Sequence, residues 1–388
     1  FYRGAAAVMA ADLAGTPSTN VHVQACGDCH LMNFGGYATP ERSINFDIND
    51  FDETLPAPWE WDIKRLVASF VLAARSNGLS EAAGREAALV TARSYRERLR
   101  EVAEMSPLEA WYTRIGPDEF YSLIDDPQIK KRVKRRIEKA KEERAADIDF
   151  PKLAEMVGGQ IQIKDQPPLI FHPEFSRAEG VREAIDKALA SYRDTLPDDR
   201  KALLDRYRLV DVAMKVVGIG SVGRYCSIGL FMSSSNQPLF LQFKEAVPSV
   251  LEPHVGKSGY GHAGQRVVQG QRLMQSSSDI FLGWAKGLHD NDLYVRQLRD
   301  AKIKPLVETF DRRMLALFGK ACGWALARAH GRASHPWLIS GYLGSSDAFE
   351  TAMAKFAVAY ADQTEHDHAR LKAAVAAGRI KVQVEDDE

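Results

Sequence analysis

Between Trp59 and Leu72, after Pro56 and Pro58, apolar side chains recur at three-to-four spacing, which predicts a helix with one face packed on a core. Residues 81–104 predict a second helix, and Arg312–His330, rich in Ala and Leu, a third. Residues 1–14 are Ala-rich and free of breakers after Gly4, a helix that Gly15 and Pro17 would end. Residues 176–207 and 346–378 each predict one or two more, and Arg266–Ser277 another. Strand patterning is sparser. Val21–Ala25 alternates and is β-branched, and Ser43–Ile48 predicts a second strand, with Gly35-Gly36 and Thr39-Pro40-Glu41-Arg42 as turn material between them.

The pattern changes character at Leu209. From there to Ala246 it is β: the glycine-rich stretch Val216–Gly223, a strand over Tyr225–Phe231, a turn at Ser233–Pro238, and a strand over Leu239–Ala246. Asp279–Trp284 and Asp292–Arg299 would complete a small antiparallel sheet. Phe150–His172, with Gly158-Gly159 and Pro167-Pro168, is irregular with short strands and serves as the linker. The expected class is therefore α+β in two lobes. A helical part spans 1–204, an antiparallel-sheet part 205–305, and helices over 306–388 return to the helical lobe.

Composition narrows the partners. With 388 residues and 45% hydrophobic content, a sizeable core can be buried. The 51 Lys and Arg nearly balance the 52 Asp and Glu, so nucleic acid and anionic membranes lack a global electrostatic attraction. Lys130–Arg144 is dense in Lys and Arg, but Glu138, Glu142 and Glu143 interleave with them and no aromatic does, so it reads as a solvated helix face. No run approaches the ~18 apolar residues of a membrane span. Cys26, Cys29, Cys226 and Cys322 form no disulfide framework, which points to a reducing, cytoplasmic setting. A start at Phe1 rather than Met points to residues missing before it. The acidic tail Glu385–Glu388 is expected to be disordered.

The chemistry concentrates near the start. Cys26-Gly27-Asp28-Cys29-His30-Leu31-Met32-Asn33 and Asn45–Glu53 bring an Asp, a His, an Asn and further acidic groups to adjacent strand ends, where they could share one metal ion. Dense carboxylate and amide oxygens suit a hard cation and the phosphate it carries. The second feature is Gly218-Ile219-Gly220-Ser221-Val222-Gly223. A dinucleotide fold would follow such glycines with a helix, whereas here a strand follows, and Lys244 lies on the next one.

A glycine hairpin with a Lys on the next strand is the protein-kinase arrangement, and Asp28 and Asn33 have the spacing of the kinase catalytic Asp and metal-binding Asn. More closely, Gly27–Asn33 resembles the G-D-x-H-x-x-N loop of aminoglycoside and choline phosphotransferases. Ile48–Asp52 resembles their metal-binding I-D-F-D segment, and Trp61-Asp62-Ile63 the W-D-L of the helix beneath. Nearly the whole chain resembles the bacterial domain-of-unknown-function family 2252, whose members carry F-Y-R-G, C-G-D-x-H-x-x-N-F-G and F-D-x-N-D-F-D-E-T in this order. The resemblance implies a protein-kinase-like fold in circularly permuted order, because the catalytic loop here precedes the glycine hairpin and Lys244.

It also implies roles. Asp28 would take or orient the proton of an attacking hydroxyl, and His30 would brace the loop or take part. Asn33 and Asp50 would hold Mg2+, with Asp52 and then Asp47 in reserve, and Asp62 would sit behind them. Gly218, Gly220, Ser221, Gly223 and Lys244 would bind ATP through its phosphates. The chain departs from the pattern at two points. Cys26 stands where a His is usual, and Arg266–Ser277 offers Gln265, Gln269 and Gln271 but no Glu for Lys244, leaving Glu252 as a substitute. The expected activity is an ATP- and Mg2+-dependent phosphotransfer to a small hydroxyl-bearing acceptor, whose pocket residues 81–204 and 331–378 would line. The alternatives are a non-catalytic nucleotide-binding protein and an AMP transferase. More remote is a c-type haem protein through Cys26-Cys29-His30, which would leave the acidic cluster and the glycine hairpin without a purpose.

Overall fold

A computed structural model describes residues 1–142, 152–173, 180–216, 218, 223–288, 290–298 and 303–381. It is α+β. Strand β1 (His22–Ala25) pairs antiparallel with β4 (Leu55–Pro58), and β2 (Phe34–Ala38) with β3 (Ile44–Ile48). The turn expected at Gly35-Gly36 is thus the interior of β2. The two glycines serve close approach instead: a Cβ on Gly35 would lie 2.7 Å from the Ile303 carbonyl oxygen, and Gly36 exchanges backbone hydrogen bonds with Ile303.

Six strands make the principal sheet, in the order β11-β12-β10-β9-β8-β7. They are β7 (Ile170–Phe171), β8 (Tyr207–Lys215), β9 (Cys226–Ser233), β10 (Pro238–Glu245), β11 (Gly283–Lys286) and β12 (Asp292–Gln297). The strand expected at 279–284 begins later, because Asp279 instead caps a turn, accepting from the Phe281 amide at 2.8 Å. Alternation on β10 divides the sheet's two faces. Leu241 and Phe243 join a core with Tyr192 and Leu204, from the helices Val181–Asp194 and Asp198–Leu204, and with Leu196 between them. On the other face Phe240 packs with Ile163 and Leu153 near the small hairpin of β5 (Ala154–Val157) and β6 (Gln160–Ile163), leaving Gln242 and Lys244 toward the acidic segment.

The helical part is built on Trp59–Ser76, Glu81–Glu104, Arg312–Arg332 and the 29-residue Ala348–Ala376. Trp59–Ser76 is the helix its pattern predicts, with Ile63, Leu66, Val67, Phe70 and Val71 fully buried. Small residues on Arg312–Arg332 let it lie close against Glu81–Glu104: a Cβ on Gly323 would sit 2.3 Å from the Thr91 carbonyl oxygen. The helix expected over 1–14 is interrupted, with a 3-10 turn over Tyr2–Gly4 and the α-helix only from Ala6 to Ala14. Tyr2 explains the break, since its ring and carbonyl are engaged by Arg65. No helix among the described residues is long and apolar enough to cross a membrane. Arg144, Phe150, Arg299 and Glu385–Glu388, named above as element ends and tail, lie outside the described residues.

Candidate functional site

The Trp59–Ser76 helix presents Asp62, Arg65 and Ser69 on one face, at the spacing that stacks side chains along a helix, and all three hold the 26–33 loop. The Asp62 carboxylate accepts from the amides of Cys26 at 2.6 Å and Gly27 at 3.0 Å, and Ser69 Oγ accepts from the Leu31 amide at 3.0 Å. Behind Asp62 a buried chain continues through His330 Nε2 at 3.1 Å to Tyr95, whose hydroxyl lies 2.9 Å from His330 Nδ1. Gly27 has φ +83°, and a Cβ there would collide with the Glu53 carbonyl oxygen at 2.3 Å, so the loop's sharp entry needs glycine.

This bracing places Asp28 at a half-buried position with its oxygens differentiated. Arg65 Nε donates to Oδ1 at 2.6 Å, while Oδ2 lies 3.7 Å from His30 Nε2. Arg65 is itself clamped, its guanidinium 4.5 Å from the Tyr2 ring centroid and donating to the Tyr2 carbonyl at 2.9 Å. Burial raises the Asp28 carboxyl above the usual range, against the opposing pull of Arg65. Burial likewise drives His30 down to about 3, so it is a neutral imidazole at physiological pH, and among the described residues its Nδ1 has no hydrogen-bond partner. Asn33 donates Nδ2 to the Asp28 carbonyl at 2.8 Å, and its own carbonyl accepts from the Asn49 amide at 2.8 Å, tying the two acidic segments together.

The three aspartates of the second segment have different surroundings. Asp47 is fully buried; Arg328 donates to Oδ1 at 2.6 Å, as does the Ile48 amide at 2.9 Å, and Ser276 donates its amide to Oδ2 at 3.0 Å. Asp50 is half-buried, and burial together with the neighbouring Asp52 charge raises its carboxyl, against Lys244 and Arg296. Asp52 ion-pairs with Lys244 and accepts from the Tyr294 hydroxyl at 2.7 Å. Although burial opposes its charge, Lys244 and Tyr294 hold it below the ordinary carboxylate range.

Lys244 is 192 residues from Asp52 in sequence, and the sheet brings it there. Opposite it on β12 is Tyr294, and opposite Gln242 is Arg296, whose Nε donates to Gln242 Oε1 at 3.1 Å. The carboxylate partner of Lys244 is thus Asp52, not Glu252, nor a residue of the helix Ala263–Met274. That helix contributes Arg266 instead, donating to the backbone carbonyls of Thr54 at 2.7 Å and of Asp52 and Val247 at 2.8 Å. Of the glycine stretch, Gly218 and Gly223 have φ +44° and +81° with open space around them, and Arg224 lies 3.6 Å from Glu53; Gly220 and Ser221 lie outside the described residues.

Sequence reasoning missed Arg65, Tyr294 and Arg296. Arg65 had a signal, standing three residues beyond Asp62 on the same helical face. Tyr294 and Arg296 had only strand alternation, which does not say which strand they will face. Cys26 and Cys29 are 1% and 0% exposed, and no group of three or more His, Cys, Asp or Glu among the described residues is arranged to hold a metal by itself. A cavity of about 120 Å³ lies apart from the aspartates, against Gly35 and Gly36, lined mainly by apolar residues including Phe46, Phe120, Ile137 and Phe318.

A family model described as "Uncharacterized protein conserved in bacteria (DUF2252)" matches residues 1–374. No curated protein and no solved structure matches the chain.

Proposed function

The chain belongs to the DUF2252 family of bacterial proteins, and from that premise we propose that it is an ATP- and Mg2+-dependent phosphotransferase-like protein acting on a small hydroxyl-bearing acceptor. The observation that carries this reading is the meeting of Lys244, from the middle of the sheet, with the Asp50–Asp52 segment beside Asp28 and Asn33. Phosphoryl transfer needs a fixed cation for the nucleotide phosphates, carboxylate and amide oxygens for the metal, and a carboxylate to take a hydroxyl proton.

The residues fit a Mg2+ site of the kind completed by substrate. Mg2+ commonly takes one or two carboxylates and leaves its remaining positions to water and phosphate, so a closed protein cage is not required. Asp50, raised by burial and by Asp52, is a carboxylate that a cation would relieve. Asn33 and Asp50 would hold the metal, with Asp52 beside them and Asp47 positioning from behind through its bond to Arg328. The metal's contribution is to neutralise phosphate charge. Asp28 offers Oδ2 to the acceptor hydroxyl because Arg65 occupies Oδ1, while neutral His30 borders Oδ2 without competing as a cation. Lys244 supplies the phosphate contact by exchanging Asp52 for the nucleotide.

The same reading accounts for chain order as a circular permutation, with residues 1–204 and 306–388 forming the helical lobe and 205–305 the nucleotide lobe. His330, at the end of Arg312–Arg332, bonds Asp62 under the loop, and the Phe1 ring stacks on His368 at 5.4 Å, so the two ends of the helical part are neighbours. A non-catalytic nucleotide binder is the second reading, favoured by the absence of a Glu from Ala263–Met274 to free Lys244 from Asp52.

Mass spectrometry of a metabolite extract incubated with protein, ATP and Mg2+ tests the enzyme and separates phosphate from AMP transfer. Transfer should fall by about 10²–10⁴-fold in Asp28→Ala, and Asp50→Ala should lose metal-dependent turnover. Metal-dependent ATP binding with no transfer to any acceptor or to water would leave the binder; no ATP binding would remove both.

A further inference from the structure

Arg296 is the second cation, beside Lys244, to which Asp50 and Asp52 respond. Antiparallel pairing sets Gln242 opposite Arg296 and Lys244 opposite Tyr294, so these four side chains share the sheet face that meets the Asp50–Asp52 segment. Lys244 already answers Asp52 with an ion pair. Among the described residues Arg296 makes no direct salt bridge, although the nearby Asp50 and Asp52 carboxylates favour its charge. Of its five N–H donors, one is spent, Nε on Gln242 Oε1 at 3.1 Å. The core arginines Arg266 and Arg328 have orphaned nitrogens sealed from solvent, whereas the Arg296 side chain is half-buried and its terminal nitrogens are not sealed.

The two cations flank one aromatic ring. The guanidinium of Arg296 lies 5.7 Å and the ammonium of Lys244 5.8 Å from the centroid of the same Tyr294 ring. Asp50 and Asp52 answer both cations from the facing segment, so a multiply charged anion would reach the pair by taking the carboxylates' place or by joining them through a cation. Diagonal neighbours on adjacent antiparallel strands lie about 7–8 Å apart, the reach of a chain of phosphates rather than of one. A planar guanidinium with free donors is suited to gripping phosphate oxygens in pairs.

We propose that Arg296 is a second phosphate-binding cation and that this sheet face takes a polyphosphate laid from Lys244 past Tyr294 to Arg296. This rests on the nucleotide reading above and sharpens it. The site would recognise the triphosphate portion of its ligand across the sheet face, with Gln242 aiming the guanidinium.

Calorimetric titration of the full chain with ATP, tripolyphosphate and adenosine, each with Mg2+, tests it. Arg296→Met and Gln242→Glu should each weaken ATP and tripolyphosphate by about tenfold or more and leave adenosine unchanged. Gln242→Glu is isosteric and sets a carboxylate against Arg296, neutralising it in place, so it decides the matter where Arg296→Met does not fold. Wild-type affinity for tripolyphosphate in Gln242→Glu, or an equal loss for adenosine, overturns the proposal. Wild-type protein that binds neither ATP nor tripolyphosphate overturns the nucleotide reading itself, whereas wild-type binding with unchanged variants removes only Arg296.

Discussion

Arg65 decides how Asp28 can behave. Its guanidinium fixes Oδ1 and opposes the upward pull that burial exerts on the carboxyl. In Arg65→Met only burial and the other carboxylates remain, so Asp28 protonates at higher pH and the acid limb of a pH–rate profile should move to the alkaline side. A limb that stays in place would mean that Asp28 is not the group titrating. His30 makes a separate prediction about stability. Unfolded, it titrates near 6.5, and folded near 3, so between those values the unfolded chain binds a proton that the native one excludes. Stability should therefore fall as pH drops through that window, by an amount on the order of a few kcal/mol. His30→Gln should flatten the decline, as read from urea midpoints at pH 7, 5 and 4. Asp28 and His30 were legible as candidates because their types and spacing match a known chemistry. Their charge states were not, since burial and Arg65 set them.

At the level of elements, helix contact is set by the small residues of Arg312–Arg332. Gly323→Ala should gain about 1 kcal/mol in intrinsic helix propensity and still destabilise, because the new Cβ would meet the Thr91 carbonyl oxygen at 2.3 Å and the Tyr95 amide nitrogen at 3.0 Å, both backbone atoms. A net loss of about 1–3 kcal/mol is expected. Gly341→Ala, with nothing within 4 Å, is the control and should be neutral or mildly stabilising. Thermal unfolding of the two variants against wild type checks both. Helices and central strands were readable because apolar spacing is a local property. β2 was misread as a turn because Gly35 and Gly36 answer to Ile303, a contact made through space.

Across the whole molecule, Lys244 and Asp52 fasten the sheet to the acidic segment, and both are largely buried. Lys244→Met leaves Asp52 and Asp50 without their nearest counter-charge and should cost about 3–5 kcal/mol at neutral pH. The deficit should shrink as pH falls, because the stranded carboxylates then protonate in the folded state. Urea unfolding at pH 7 and pH 4.5 measures it, and a loss independent of pH would mean that packing rather than charge holds the two parts. The amino-acid sequence by itself determined the α+β class and the main helices, and marked Asp28, Asn33, Asp50 and Lys244 as candidates, because periodicity and residue chemistry act over a few positions. Only the tertiary structure decided that Asp47 is committed to Arg328, that Asp52 rather than Glu252 receives Lys244, and that Arg296 shares the sheet face with Lys244. Those outcomes depend on strand register and helix crossing, which sum weak contacts between residues about two hundred positions apart and leave no local pattern to read.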